Sequence, residues 1–218
     1  DSVKTAAQVE AMAERALAGQ RIDQDVVTDL SVYLPCDNEL LAIDPQDQSG
    51  NGNHGTVINP DDVGMGRTST SGASQVFEFG GTNGHITVAD ATEFDAHAGG
   101  SGVMTLVGAF KADDLAGGFT LQEKGNSGFT DREFRLDAGN GIMQMRVMNN
   151  NVSAFEIYNT TGVTISVGTW YHYVVTYDAS LAADNRVFIY VNGVDRTLFS
   201  SSAGGFSGMT SAAAPYSI

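Results

Sequence analysis

The densest run of chemistry-bearing residues is Asp47-Gln48-Ser49-Gly50-Asn51-Gly52-Asn53-His54-Gly55, which sets two asparagines and three glycines behind a carboxylate within nine positions. Neither a helix nor a regular strand suits such a run. Glycine supplies positive φ angles, and asparagine tolerates them while bonding back to nearby backbone, so the spacing predicts a tight, shaped loop. Inward-facing carbonyls, amide oxygens and one carboxylate are what a hard cation prefers, and calcium is the natural candidate; a metal-free turn uses the same residues.

A second group has the composition of a sugar site, where aromatic rings stack on apolar sugar faces and amides bond the hydroxyls. Asn149, Asn150 and Asn151, followed by residues 155–159, are richest in both types. Tyr158 has the parity opposite Phe155 and Ile157 and is expected as a solvent-facing platform. A polar hairpin loop beside an exposed tyrosine is the plainer reading of the same residues. Trp170, the only tryptophan, is assigned to packing, and His172 to a satisfied core imidazole. Met104, Met143, Met145 and Met148 read as core filler. Cys36 is the only cysteine, which excludes an intramolecular disulfide, and none of His54, His85, His97 and His172 has a setting that marks it as a base for that thiol.

The elements that must position these groups change character along the chain. Residues 1–30 are rich in Ala, Glu and Gln, with Val9, Met12, Ala13, Ala16 and Leu17 at helical spacing, Gly19 as a stop, and Asp23 capping a second short helix. From residue 31 onward, short alternating runs are separated by Gly, Asn and Asp clusters, the texture of packed antiparallel sheets. Strands are predicted at 31–34, 75–79, 85–89, 104–110, 119–124, 133–137, 142–148, 154–158, 170–177 and 186–192. Tyr171, Tyr173, Val175 and Tyr177 point one way and His172, Val174 and Thr176 the other, and Asn192-Gly193 supplies a type I′ turn. Residues 64–74 and 200–212 read as loops. The predicted core includes Phe77, Phe79, Leu106, Phe110, Val147, Val175 and Ile189.

At 218 residues the chain accommodates one large all-β domain, and a formal charge of -15 opposes binding to nucleic-acid phosphates or anionic lipid. No apolar run approaches a membrane span, so no membrane insertion is expected. The opening Asp1 leaves room for a targeting segment already removed.

The order of these motifs resembles the laminin-G-like jelly-roll domains of the concanavalin A-like lectin and glucanase superfamily. Tyr33-Leu34-Pro35 followed by the glycine and asparagine loop resembles the family opening. Phe77-Glu78-Phe79-Gly80-Gly81 with residues 84–88 resembles its second hairpin, and residues 168–178 with Ile189-Tyr190-Val191-Asn192-Gly193 resemble its paired late strands. The likeness implies an all-β, two-sheet antiparallel jelly-roll sandwich over residues 31–218, with residues 1–30 as a helical extension outside the family pattern. In the family, a segment like Pro215-Tyr216-Ser217-Ile218 leads into a closing strand. This strand is therefore expected to be lacking or borrowed, leaving a sheet edge open at the C terminus for a partner chain or for residues 1–30.

The resemblance also implies a structural Ca2+ held by Asp47, Asn51 and Asn53, with Asp44 or Asp90 adding a second carboxylate. It raises glucanase chemistry, for which Glu133 and Asp137 are the best local pair. On a strand those carboxylates stand roughly 13 Å apart, too far for the usual acid and base or nucleophile pair. The expected function is a non-catalytic glycan-binding or adhesion module acting at the cell exterior, cell surface or virion surface. The alternatives are a structural subunit of an extracellular or virion assembly and, third, a glycoside hydrolase or lyase.

Overall fold

The computed structural model describes Leu34 and residues 44–67, 75–95, 97–125, 131–149 and 153–218. The helices expected at 1–30 lie outside these residues. Among the described residues fourteen strands follow one another: β1 Gly55–Ile58, β2 Val63–Arg67, β3 Gln75–Phe79, β4 His85–Val88, β5 Val103–Lys111, β6 Phe119–Gly125, β7 Arg132–Gly139, β8 Ile142–Met148, β9 Phe155–Thr160, β10 Trp170–Asp178, β11 Val187–Val191, β12 Val194–Asp195, β13 Thr197–Ala203 and β14 Tyr216–Ser217. They build an eight-stranded sheet in the order β1-β4-β14-β6-β7-β8-β9-β13, a four-stranded sheet β12-β11-β10-β5, and the separate hairpin β2-β3. Every strand pairing is antiparallel.

Alternation decides which residues meet between the sheets. Tyr171, Tyr173, Val175 and Tyr177 of β10 and Val187, Ile189 and Val191 of β11 join Phe134, Leu136 and Ala138 of β7 and Met143, Met145 and Val147 of β8 in one buried cluster. Burying each large side chain of this kind contributes about 1.5–3 kcal/mol, so a one-residue slip of any central strand would be costly. The sheets are also tied by a polar contact, Gln122 Nε2 donating to the Val107 carbonyl at 3.1 Å. Asn192 and Gly193, at φ 51° and 78°, make the predicted I′ turn into β12.

Of the predicted core residues, Leu106, Phe110, Val147, Val175 and Ile189 are buried, whereas Phe77 is half-buried and Phe79 is 41% exposed. Both phenylalanines sit in the β2-β3 hairpin, which pairs with neither main sheet. Alternation there marks one face of a hairpin rather than a place in the sandwich. Met143 and Met145 fill the core as expected, whereas Met148, though buried, lies at the opposite parity of β8 and outside the cluster between the sheets. His172 is buried, but neither ring nitrogen has a hydrogen-bond partner, and burial pushes its pKa down. The expectation of a satisfied imidazole is corrected accordingly. Trp170 is partly exposed, with the Lys111 ammonium 6.0 Å from its ring centre, rather than packed away.

The C-terminal strand β14 is itself paired on both sides, whereas β5 and β12 stand at the edges of the four-stranded sheet among the described residues. Tyr216 and Ser217 pair with β4 on one side and β6 on the other, and Ile218 exchanges reciprocal 2.9 Å backbone bonds with Ile86. Strands β1, β2, β12, β13 and β14 were not predicted. They are short, glycine-rich or serine-rich, or lack alternation, so their pairing comes from neighbours rather than from local pattern. Among the described residues no helix is long and apolar enough to cross a membrane.

Candidate functional site

With the apolar parity of β7 and β8 turned inward, the opposite parity forms a polar surface on the large sheet. Strand register sets its rows. Thr120, Asp137, Gln144 and Asn159 lie side by side across β6 to β9, and Glu123, Arg135, Arg146 and Ile157 form the next row. Met148 and Phe155 stand opposite each other beyond them. Thr120 Oγ1 donates to Asp137 at 3.0 Å, and Gln144 Nε2 donates to Asn159 Oδ1 at 2.9 Å. Arg135 Nε reaches the same Asp137 carboxylate at 2.5 Å. The guanidinium of Arg146 lies 5.9 Å from the Phe155 ring centre.

A shallow cleft of about 190 Å³ opens at one end of this surface, lined by Phe119, Arg135, Asp137, Asn140, Ile142 and Gln144 among others. Two backbone features shape it. Asn140 and Gly141, at φ 50° and 82°, turn β7 into β8. A Cβ on Gly139 would come within 2.4 Å of the Gly118 Cα, so only glycine lets the loop before β6 lie against β7 as the cleft wall. The surface thus offers amide and carboxylate acceptors, amide and guanidinium donors, and apolar patches at Ile142, Ile157 and Phe155.

The predicted ligand residues are placed differently. Asn149 closes the turn after β8, its Oδ1 accepting from Ala154 N–H at 3.1 Å; Asn150 and Asn151 lie outside the described residues. Tyr158 is 0% exposed, so it is no solvent platform. Its hydroxyl donates to the Glu156 carboxylate at 2.8 Å and meets the Ala183 carbonyl, while Arg186 pairs with Glu156 at 2.6 Å. The inward face of β9 is therefore the polar Glu156, Tyr158 and Thr160 parity, and the half-buried aromatic is Phe155. Local pattern hides this because the cation that satisfies Glu156 comes from Arg186, far along the chain.

The glycine and asparagine run is the tight loop expected, and its own carboxylate organises it. Asp47 accepts from Ser49 N–H at 2.8 Å, Ser49 Oγ at 2.7 Å and Asn53 N–H at 2.9 Å. The Asn51 N–H donates to Ser49 Oγ at 3.3 Å. The Asp44 carboxylate accepts from Val57 N–H, and Asp90 pairs with Lys124 at 2.9 Å. Among the described residues no three His, Cys, Asp or Glu side chains gather as a metal cluster. Hydrogen-bond donors, which repel a cation, meet all three carboxylates, so this arrangement does not fit a calcium site. Asp47→Ala should accordingly lower the melting temperature, by the loss of charge-assisted hydrogen bonds worth about 1.5–3 kcal/mol each, while EDTA leaves the wild-type melting curve in place. A fall in wild-type melting temperature on chelation would restore the metal.

Glu133 and Asp137 do not act as a pair. The register of β7 slips at Glu133, where Gly125 faces Arg132 and Lys124 faces Phe134. This bulge takes Glu133 out of the outward row. It is 0% exposed, bonded to Lys124 Nζ at 2.9 Å, to His97 Nε2 and to Ala212 N–H. Lys124 also reaches Asp90, Asp95 at 3.4 Å and the Ala212 carbonyl at 2.8 Å. A buried carboxylate so fully partnered has no access to a substrate.

The described residues form a two-sheet antiparallel jelly roll with a polar surface on the outer side of its large sheet. The model of the concanavalin A-like lectin/glucanases superfamily, laminin-G type, matches residues 79–211, and the chain belongs to this family. Among solved structures, the binding domain of botulinum neurotoxin serotype D is similar at 14% identity and TM-score 0.56, over 89% of this chain and 44% of that one. The serotype G binding domain aligns at 13% identity and TM-score 0.55, over 79% of this chain and 40% of that one. A type C neurotoxin structure, described as showing cell entry dependent upon interaction with two ganglioside molecules, aligns at 13% and TM-score 0.54, over 86% and 42%. The chain spans about two fifths of the length of these structures. No curated protein matches it.

Proposed function

We propose that the protein is a non-catalytic glycan-binding module that uses the outer face of β6 to β9. The observation that carries this reading is the row Thr120, Asp137, Gln144 and Asn159 running into the cleft beside Ile142 and Phe119, which sets hydroxyl-binding groups next to apolar surface. Sugars present this same alternation of polar rim and apolar face. The likeness in fold to a chain of botulinum neurotoxin type C, a toxin whose cell entry is dependent upon interaction with two ganglioside molecules, supports it further. A glycan partner puts the site of action at the cell exterior or a cell surface. Among the described residues Asp137 is the one carboxylate that lines the cleft, whereas glycoside hydrolysis uses two.

A glycan array tests the reading. The wild-type protein should bind a defined subset, and Gln144→Ala and Asn159→Ala should each weaken that binding by about two- to tenfold, the loss of one or two hydrogen bonds. A blank array for the folded wild type, or variants that bind unchanged, would remove it.

A further inference from the structure

The second row of the outer face carries a charge arrangement that the described residues leave unbalanced. Arg135 on β7 and Arg146 on β8 are direct cross-strand partners, and like charges directly opposite each other destabilise a sheet. Arg135 is balanced by Asp137 at 2.5 Å, and nearby Arg132 faces Glu123 at 3.4 Å. Arg146 has no carboxylate within ion-pair distance among the described residues. Its guanidinium has one long contact, to Gln144 Oε1 at 3.5 Å, and its Nε is buried without a partner. The positive field is felt locally: the Arg132 guanidinium is held below its ordinary pKa first by burial, with Arg135 and Arg146 adding to the effect against Glu123 and Asp137.

We infer that Arg146, with Arg135 beside it, receives the anionic group of an acidic glycan, a carboxylate or a sulfate, on the outer face of β7 to β9. This deepens the glycan reading above and rests on it. A guanidinium presents a planar fork matched to two-oxygen anions, and the Phe155 ring centre lies 5.9 Å from that of Arg146, within cation–π reach. Arg135 lines the cleft as well as the row, so an anion over the two arginines leaves the neighbouring sugar ring against Asp137, Asn140 and Gln144. The formal charge of -15 does not forbid this. At physiological ionic strength screening limits the reach of distant carboxylates to about 8 Å, so the arginines and their immediate neighbours set the local potential.

The test follows the arginine Nε–Hε signals of the 15N-labelled protein by NMR during titration with 3′-sialyllactose, with a heparin-derived tetrasaccharide and with lactose. The first arm carries a carboxylate, the second adds sulfates, and the third is neutral. An acidic probe should move the Arg146 signal, and Arg146→Gln should weaken its binding by about tenfold or more, the loss of a bidentate charged contact. Arg146→Lys, which keeps the charge without the fork, should fall between. Melting curves confirm that both variants are folded. Acidic probes that leave the Arg146 signal in place, or that bind Arg146→Gln as tightly as wild type, overturn the inference. If neutral glycans then still bind through Gln144 and Asn159, the glycan reading survives that failure; if a wild-type array is blank for every glycan, the broader reading is what has failed.

Discussion

Lys124→Met should cost the protein about 3–5 kcal/mol, because it leaves the Glu133 carboxylate buried without its cation. Lys124 is 1% exposed, and its amine is the shared donor to Glu133, Asp90, Asp95 and the Ala212 carbonyl. Burial pulls the pKa of this amine down, but hydrogen bonds and charge from Glu133 and Asp90 outweigh it, so the net shift is upward and the ammonium is the form that the fold holds. For a domain of this size the loss corresponds to a fall in melting temperature of about 10 °C. The double variant Lys124→Met with Glu133→Leu removes both charges together and should recover much of the stability, since a buried pair replaced by apolar groups is often near neutral. A single variant within about 1 kcal/mol of wild type in urea melts would show that the network is a bystander.

Tyr158→Ala is expected to have a similar cost, about 3–5 kcal/mol, as for other large buried aromatics. The ring packs edge-on to Phe199 at 5.4 Å, and its hydroxyl ties the Glu156 carboxylate to the loop at Ala183. Tyr158→Phe keeps the ring and loses only the donor, for a smaller cost of about 1–3 kcal/mol. Burial raises the Glu156 carboxyl pKa, against the pull of Tyr158 and Arg186, so removing the phenol should raise it further. Glycan affinity measured on the folded Tyr158→Phe protein should equal that of wild type. A selective loss of glycan binding with unchanged stability would return Tyr158 to the ligand site.

The sandwich was legible where strands are long and alternate. The Val187, Ile189 and Val191 parity of β11 specified its buried face, and the tyrosine and valine parity of β10 specified the side chains that meet the large sheet, although β10 is buried on both faces. The site was less legible, for a physical reason. On β9 both parities carry apolar or aromatic groups, and the inward one was settled by Arg186 and Ala183, contributed from outside that strand. The bulge at Glu133 removed one carboxylate from a face where a regular strand would have kept it. Neither the register that sets Arg135 opposite Arg146 nor the Gly118 and Gly139 contact that walls the cleft can be read from any single segment.

Because β14 lies between β4 and β6, those two strands share no hydrogen bonds with each other, and the large sheet is continuous only through residues near position 217. During synthesis, the β1-β4 pair emerges from the ribosome well before the segment that joins it to the β6 to β13 block. Until that segment arrives, β4 and β6 each present an unpaired strand edge. Pairing over so long a sequence separation is intrinsically slow. The nascent protein is thus exposed to mispairing of the β4 and β6 edges until β14 has been made and has inserted between them.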